Sequence, residues 1–129
     1  MTSAEYKTIR EACGLSQQAA ASYHNVALRT VQHWEEGRNG IPAGVADEIR
    51  RLDAQIERSV IETIELYEDV RTSHGTSDTV ALVRYRTSES YSGSRPDREG
   101  LLFPCHAALI GRTRIALERI GATVQISWA

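Results

Sequence analysis

Apolar and small residues in the first third of the chain recur at helical spacing, interrupted by residues that start and stop helices. Thr2, followed three residues later by Glu5, predicts a capping box, and the helix that it starts should end at Gly14 in a left-handed cap. Ser16 is a suitable N-cap for a second helix, rich in alanine, that runs to about Tyr23. The pattern therefore predicts two short helices joined by a tight turn.

A further turn and a third helix follow. Asn25 lies in the predicted turn, and asparagine is, after glycine, the residue that best tolerates a positive φ. The third helix is expected from about Ala27 to Glu36, with Gly37 as its stop. Pro42 suits the first turn of a fourth helix. Ala27 cannot supply a side-chain N-cap, a loss that typically costs about 1 kcal/mol.

The longest amphipathic pattern runs from Val45 to Val70, with acids and arginines between its apolar residues. The apolar positions are Val45, Ile49, Leu52, Ile56, Val60, Ile64 and Tyr67. The pattern fits one long helix, or two helices joined near Arg58. Because such a stripe exceeds what a small four-helix unit can cover, we expect it to pack on the C-terminal region or on a second copy of the chain.

After residue 75 the apolar residues no longer recur at helical spacing. Residues 79–85 (TVALVRY) are β-branched and partly alternating, which predicts a strand. Residues 87–100 (TSESYSGSRPDREG) are polar and contain glycine and proline, which predicts a mobile loop.

The last segment predicts a helix and a strand. Pro104 opens a helix from about Cys105 to Ile120, and Gly121 stops it. Its expected apolar face consists of Leu109, Ile110, Ala116, Leu117 and Ile120. Val124, Ile126 and Trp128 then alternate with polar residues, which predicts a strand with one buried face. The two strands can pair in parallel around the helix or add across a dimer, and a two-stranded sheet is marginal alone.

Composition bounds the class of protein. The chain has 129 residues, 41% of them hydrophobic and 25% charged, which is typical of a soluble globular protein. No apolar run approaches the roughly 20 residues that span a bilayer, and the N-terminus has no basic stretch followed by an apolar one. We therefore expect a cytoplasmic protein with no membrane partner. Cys13 and Cys105 are far apart in sequence and are expected to be buried as small hydrophobic residues.

The most informative segment runs without a gap from Leu15 to Arg38. It consists of Leu15-Ser16-Gln17-Gln18-Ala19-Ala20-Ala21, then Val26, then Val31-Gln32-His33-Trp34-Glu35-Glu36-Gly37-Arg38. This segment resembles the Cro/phage-repressor type of helix-turn-helix. The resemblance implies that the third helix lies in the major groove of double-stranded DNA. Since the net charge is −2, affinity for DNA must come from the placement of charges rather than their number.

A narrower resemblance extends the motif. The run from Leu28 to Pro42 (LRTVQHWEEGRNGIP), together with Ala19-Ala20, is similar to the YdiL-like family, which includes anti-CRISPR-associated autorepressors of phages. The helix after Pro42 and the late helix with Cys105-His106-Ala107-Ala108 are similar to the C-terminal region of that family. The resemblance implies a homodimer that binds an inverted repeat in the promoter of its own operon.

Together these patterns predict a mainly α fold with a small α+β C-terminal part. Residues 1–57 are expected to form a lambda-repressor-like helix-turn-helix domain that binds DNA. Residues 58–129 are expected to form a dimerisation domain, with the end of a long helix followed by a strand-helix-strand region.

The third helix predicts the contacts to bases. Leu28, Arg29, Gln32 and His33 lie on or near its exposed face. Arg29 can donate to O6 and N7 of guanine, Gln32 can pair with adenine or contact phosphate, and Leu28 can touch a thymine methyl. His33 can donate to a base or a phosphate.

Four further residues suit the phosphate backbone, because amide and hydroxyl groups near helix ends and cationic side chains contact phosphates. They are Gln17, Thr30, Arg38 and Asn39.

Other polar and aromatic residues are assigned structural roles. Arg10 and Glu35 are expected to form an ion pair between the first and third helices, as in similar repressors, and Trp34 is expected in the core. His24, His74 and His106 have no ligand spacing, so neither a metal nor a cofactor is predicted.

Three functions compete. The first is a sequence-specific autorepressor that binds an inverted repeat as a homodimer. The second is an antitoxin or adaptor whose C-terminal half binds a partner protein through the loop at 87–100 or the exposed end at Trp128. The third, an enzyme, is disfavoured, because Cys105 and His106 are adjacent on one helix and point about 100° apart. The sequence also has no glycine-rich phosphate loop.

Overall fold

A computed structural model of the chain describes residues 1–74, 79–94 and 101–129. In chain order, its elements are α1 (Ser3–Ala12), α2 (Gln17–His24), α3 (Leu28–Glu35), α4 (Ala43–His74), β1 (Val80–Arg84), α5 (Ser88–Ser94), α6 (Phe103–Arg119) and β2 (Val124–Trp128). The fold is mainly helical with one small sheet, as predicted. It divides into two compact units, Met1–Gln55 and Ile56–Ala129. The roles assigned to the two halves, DNA binding and dimerisation, stay predictions.

The starts of the first two helices follow the predicted caps. The Thr2 hydroxyl accepts from the Glu5 N–H at 3.0 Å, and the Glu5 carboxylate accepts from the Thr2 N–H at 3.1 Å, which completes the capping box. Ser16 caps α2 by accepting from the Ala19 N–H. Ala27 provides no such bond to α3, as expected.

The ends of these helices also follow the sequence. Gly14, Asn25 and Gly37 have φ angles of 77°, 57° and 77° and follow the ends of α1, α2 and α3. In each case the backbone N–H groups at and after this residue donate back into the last turn, which satisfies carbonyls that the helix leaves without partners. The turns of the first unit are therefore set by local chemistry.

The fourth helix is one continuous helix of 32 residues, so the alternative of two helices joined near Arg58 is wrong. Pro42 lies immediately before this helix rather than in its first turn, and its carbonyl accepts from the Ala46 N–H at 3.0 Å. The predicted apolar stripe is buried from Val45 to Val60. Ile64 and Tyr67, further along, are half-buried.

The second unit contains a β-α-β arrangement. β1 and β2 pair in parallel, with Val80 opposite Val124 and Arg84 opposite Trp128, so the parallel alternative is the one observed. On α6 the buried residues are Cys105, His106, Leu109, Thr113 and Leu117. Of the predicted apolar face, Leu109 and Leu117 are thus buried, whereas Ile110, Ala116 and Ile120 are only half-buried.

One expectation for the last strand is wrong. The apolar face of β2 is not buried, since Ile126 is 41% and Trp128 49% exposed. The Trp128 ring instead lies beneath the guanidinium groups of Arg86 and Arg84, at 4.4 and 5.4 Å. Alternation identifies a face that could be buried, but it does not supply the element that would cover that face.

The segment 87–100 is not simply a loop, because its first part forms α5. Thr87 caps this helix by accepting from the Ser90 N–H at 3.1 Å, and Tyr91 is buried among aromatic rings. The neighbouring rings are those of Tyr85, Phe103 and His106. The mobility predicted for residues 95–100 lies outside the described residues.

Candidate nucleic-acid interface

The second and third helices form a helix-turn-helix. The turn begins at Asn25 (φ 57°, ψ 48°), and the Val26 N–H donates to the Ala21 carbonyl at 2.9 Å. Ala21 is fully buried, which allows the two helices to approach closely. On α3, the side chains of Val31 and Trp34 are buried, so the side of the helix that carries them faces the core. The burial of this side fixes which face of α3 points outward.

The outer face of α3 forms one side of an open depression. It is lined by Ala27, Leu28, Arg29, Gln32, His33, Glu36 and Arg38. The four residues predicted to contact bases therefore share one surface. Arg29 and His33 are four residues apart, which places them one turn apart on the same side of a helix. The major groove admits an α-helix, and polar side chains that share one face of such a helix can reach base edges there.

Arg29 is the most available cation of this surface. Its side chain is exposed, and within the described ranges no group accepts a hydrogen bond from it. Leu28, Gln32 and His33 are half-buried along the same face. An exposed guanidinium flanked by half-buried neighbours can enter a groove without first breaking an internal bond.

The residues predicted to contact phosphate are placed less uniformly. Arg38 lines the depression, whereas Gln17, Thr30 and Asn39 do not. Asn39 is exposed and Thr30 is half-buried. The Gln17 amide nitrogen donates to Glu35 Oε1 at 3.2 Å, which uses one of its two N–H groups. The other N–H is the one that can donate to a phosphate.

The predicted Arg10–Glu35 ion pair is confirmed. Arg10 Nε lies 2.7 Å from Glu35 Oε2 and Nη2 lies 2.9 Å from Oε1, with both side chains more than nine-tenths buried. Burial raises the pKa of the Glu35 carboxyl, but the hydrogen bonds from Arg10 and Gln17 and the charge of Arg10 outweigh it. The pKa therefore lies below its ordinary value. The pair fixes α1 to the end of α3, and thereby the angle at which α3 is presented.

A second buried network was not predicted. The His24 imidazole lies between Glu48 Oε2, 3.0 Å from its Nδ1, and the Tyr6 hydroxyl, 2.9 Å from its Nε2. The Tyr6 and His24 rings both meet the Trp34 indole edge-on. Trp34 is thus in the core, as expected. Burial is the main cause that raises the pKa of Tyr6 to about 12, and the charge of Glu35 adds to it, so the phenol stays protonated.

One charged residue of the depression was missed, although its spacing could have revealed it. Glu36 follows Arg29 by seven residues and Gln32 by four, which places it on the same helical face. Its Oε2 lies 3.0 Å from Arg38 Nε, and both side chains are more than half exposed. The candidate interface therefore holds an acid as well as two arginines.

Both cysteines are buried thiols, and burial raises the pKa of Cys105 to about 11, so its thiol is a poor nucleophile at neutral pH. No cluster of three or more metal-ligating side chains occurs in residues 1–74, 79–94 and 101–129. Within the same ranges, no helix combines the length and hydropathy that a membrane crossing needs.

Comparison with protein families identifies the family to which the chain is similar. The family model described as Aca2/YdiL-like matches residues 1–112, which include all of α1 to α5 and the first part of α6. No curated protein matches the chain.

Proposed function

This chain belongs to the Aca2/YdiL-like family, and from that premise we propose that it is a sequence-specific repressor of transcription. It binds double-stranded DNA as a homodimer at an inverted repeat and represses its own operon, which in this family is associated with anti-CRISPR genes. No enzymatic activity, metal or cofactor is part of the proposal.

The observation that carries the proposal is the position of Arg29 on the outer face of α3. The guanidinium is exposed at the N-terminal end of a helix whose other face is locked into a core by Val31 and Trp34. In helix-turn-helix proteins the N-terminal end of the recognition helix, which here is α3, contacts base edges. A bidentate contact to guanine contributes about 1–3 kcal/mol of discrimination.

The second unit supports the homodimer. Every large hydrophobic side chain that is strongly exposed among the described residues belongs to this unit. These side chains are Ile61, Leu66, Val70, Val83, Ile115, Ile126 and Trp128. A two-stranded sheet and an exposed apolar set both favour further association. A second copy of the chain suits an inverted repeat, because a two-fold protein matches a two-fold site.

The exposed Ile126 and Trp128 also suit the alternative function, an antitoxin or adaptor that holds a partner protein. The two functions differ in what co-purifies with the chain. A repressor is expected to purify as a dimer of one polypeptide, and an antitoxin or adaptor with a second polypeptide bound to its C-terminal unit.

The decisive experiment is binding of the purified chain to its own upstream region, compared with Arg29→Ala. We expect this variant to lose operator binding while its circular dichroism and its mass in solution stay those of the parent. Arg58→Ala is the matched control, because it removes an exposed arginine from α4. Equal operator affinity of Arg29→Ala and the parent contradicts the proposal.

A further inference from the structure

The end of α3 folds back so that two opposite charges meet on the outer face of the helix. Gly37 adopts φ 77°, the Gly37 N–H donates to the Trp34 carbonyl, and the Arg38 N–H donates to the His33 carbonyl at 2.9 Å. This is the double hydrogen-bond pattern of a Schellman cap. It brings the Arg38 side chain back beside Glu36, at 3.0 Å.

The pair lies on the same surface as the residues proposed to read DNA. Glu36 and Arg38 line the depression that also contains Arg29 and His33. The Glu36 side chain is 53% and the Arg38 side chain 66% exposed, so both charges face the solvent that a duplex would displace. An exposed ion pair of this kind contributes little to folding stability, so either charge can be replaced without unfolding the chain.

A carboxylate at this position has opposite effects on different DNA sequences. Its negative charge repels phosphates. Because it only accepts hydrogen bonds, the donors that it can find in the major groove are the exocyclic amino groups of cytosine and adenine. While Glu36 holds Arg38, it also withholds that cation from the backbone. Non-specific binding, which depends almost entirely on phosphate contacts, therefore loses more than binding to an operator does.

We propose that Glu36 is a specificity-determining residue that suppresses binding to non-operator DNA, both by repelling phosphate and by retaining Arg38. This inference rests on the proposed function, and it deepens it. It also gives a role to an acid on a surface that is proposed to meet phosphate. Selectivity among many competing sites depends on the ratio of operator to non-operator affinity, not on operator affinity alone.

The test is Glu36→Gln, measured on the operator and on a scrambled duplex of equal length over a range of salt. The variant is expected to bind the scrambled duplex more tightly, with a salt dependence steeper by about one phosphate contact, or about 0.9 in slope. That corresponds to an additional loss of about threefold in affinity between about 50 and 200 mM salt. Operator affinity should rise less, so the specificity ratio falls.

Two further variants separate the causes. Glu11→Gln removes an exposed acid of α1 and is expected to leave both affinities as in the parent. Adding Arg38→Ala to Glu36→Gln should return the salt slope to the parent value, because Arg38 supplies the additional contact. A slope that stays steep overturns the role given to Arg38. If Glu36→Gln binds the scrambled duplex no more tightly than Glu11→Gln does, the role given to Glu36 is overturned.

Failure of this inference differs from failure of the proposed function. If the parent binds its operator selectively and Glu36→Gln keeps the same specificity ratio, only the role of Glu36 is overturned. If the parent binds neither duplex at low salt, the proposed function fails and this inference fails with it.

Discussion

The Arg10 guanidinium grips the Glu35 carboxylate with two hydrogen bonds, of 2.7 and 2.9 Å, and uses its third nitrogen to donate to the Leu15 carbonyl at 2.7 Å. One side chain therefore joins α1, the loop before α2 and the end of α3. Because both charges are buried, each depends on the other for its stability. The orientation of the outer face of α3 depends on this contact.

Replacing Arg10 with methionine is expected to destabilise the chain by about 3 kcal/mol, because it leaves the buried Glu35 carboxylate without its main partner. Urea unfolding at neutral pH measures the change. Arg114→Met is the matched control, since its partner Glu118 lies one turn away on an exposed surface, and such pairs contribute roughly 0.5 kcal/mol. Equal losses from the two variants contradict the role of Arg10.

The same contact makes stability sensitive to acid. The pKa of Glu35 in the folded chain lies below its ordinary value of 4.5. The contribution of Glu35 is therefore fully present above about pH 4.5 and is lost as pH falls through the lowered pKa. We expect Glu35→Gln to show a weaker dependence of the unfolding free energy on pH than the parent between about pH 6 and pH 3. Parallel curves for the two proteins exclude this source of acid sensitivity.

Residues that act locally made the first unit predictable. Thr2, Ser16, Asn25 and Gly37 each set a helix end through contacts within a few residues, so their pattern is sufficient to place the turns. The pairing of β1 and β2 stayed open because alternation identifies a strand but not its neighbour. The helix α5 was missed because its buried residue Tyr91 has no apolar partner at helical spacing and contacts rings that lie six and fifteen positions away in the sequence.

The Tyr6–His24–Glu48 network gives a third prediction. In the tautomer that carries its proton on Nδ1, His24 donates to the Glu48 carboxylate, and Nε2 accepts from the Tyr6 hydroxyl. Tyr6→Phe leaves that nitrogen buried without a donor, and we expect a loss of about 2 kcal/mol in urea unfolding. Tyr23→Phe, which removes a longer bond of 3.3 Å from a half-buried hydroxyl, should lose less.

The raised pKa of Tyr6 also predicts a pH dependence of stability, which a change in packing alone would not alter. Its value of about 12 in the fold lies above the ordinary 10.0, so its contribution is present below pH 10.0 and is lost as pH rises towards 12. The parent is expected to lose stability over this window, and Tyr6→Phe to lose less. A variant as sensitive to alkali as the parent contradicts the burial of this phenol.

The part of the candidate site that lies on one helix was predictable. Spacing on α3 placed Arg29, Gln32 and His33 on one face. The bond from Gln17 to Glu35 joins residues 18 positions apart and follows only from packing of α2 against α3. Glu36 was open to prediction from the same spacing, but an acid is not expected on a surface that meets phosphate.

Gly37 offers a test in which one chemical change has opposite effects at two positions. A Cβ added at Gly37 meets no atom within 4 Å, so Gly37→Ala is resisted only by the positive φ of 77°. That conformation costs an L residue about 1 kcal/mol, and we expect a loss of that size in urea unfolding. Gly44 lies in the first turn of α4 with equally open space and no positive φ, so Gly44→Ala is expected to stabilise the chain by about 0.5 kcal/mol. Losses at both positions contradict the assignment of strain to Gly37, because added volume is then the common cause.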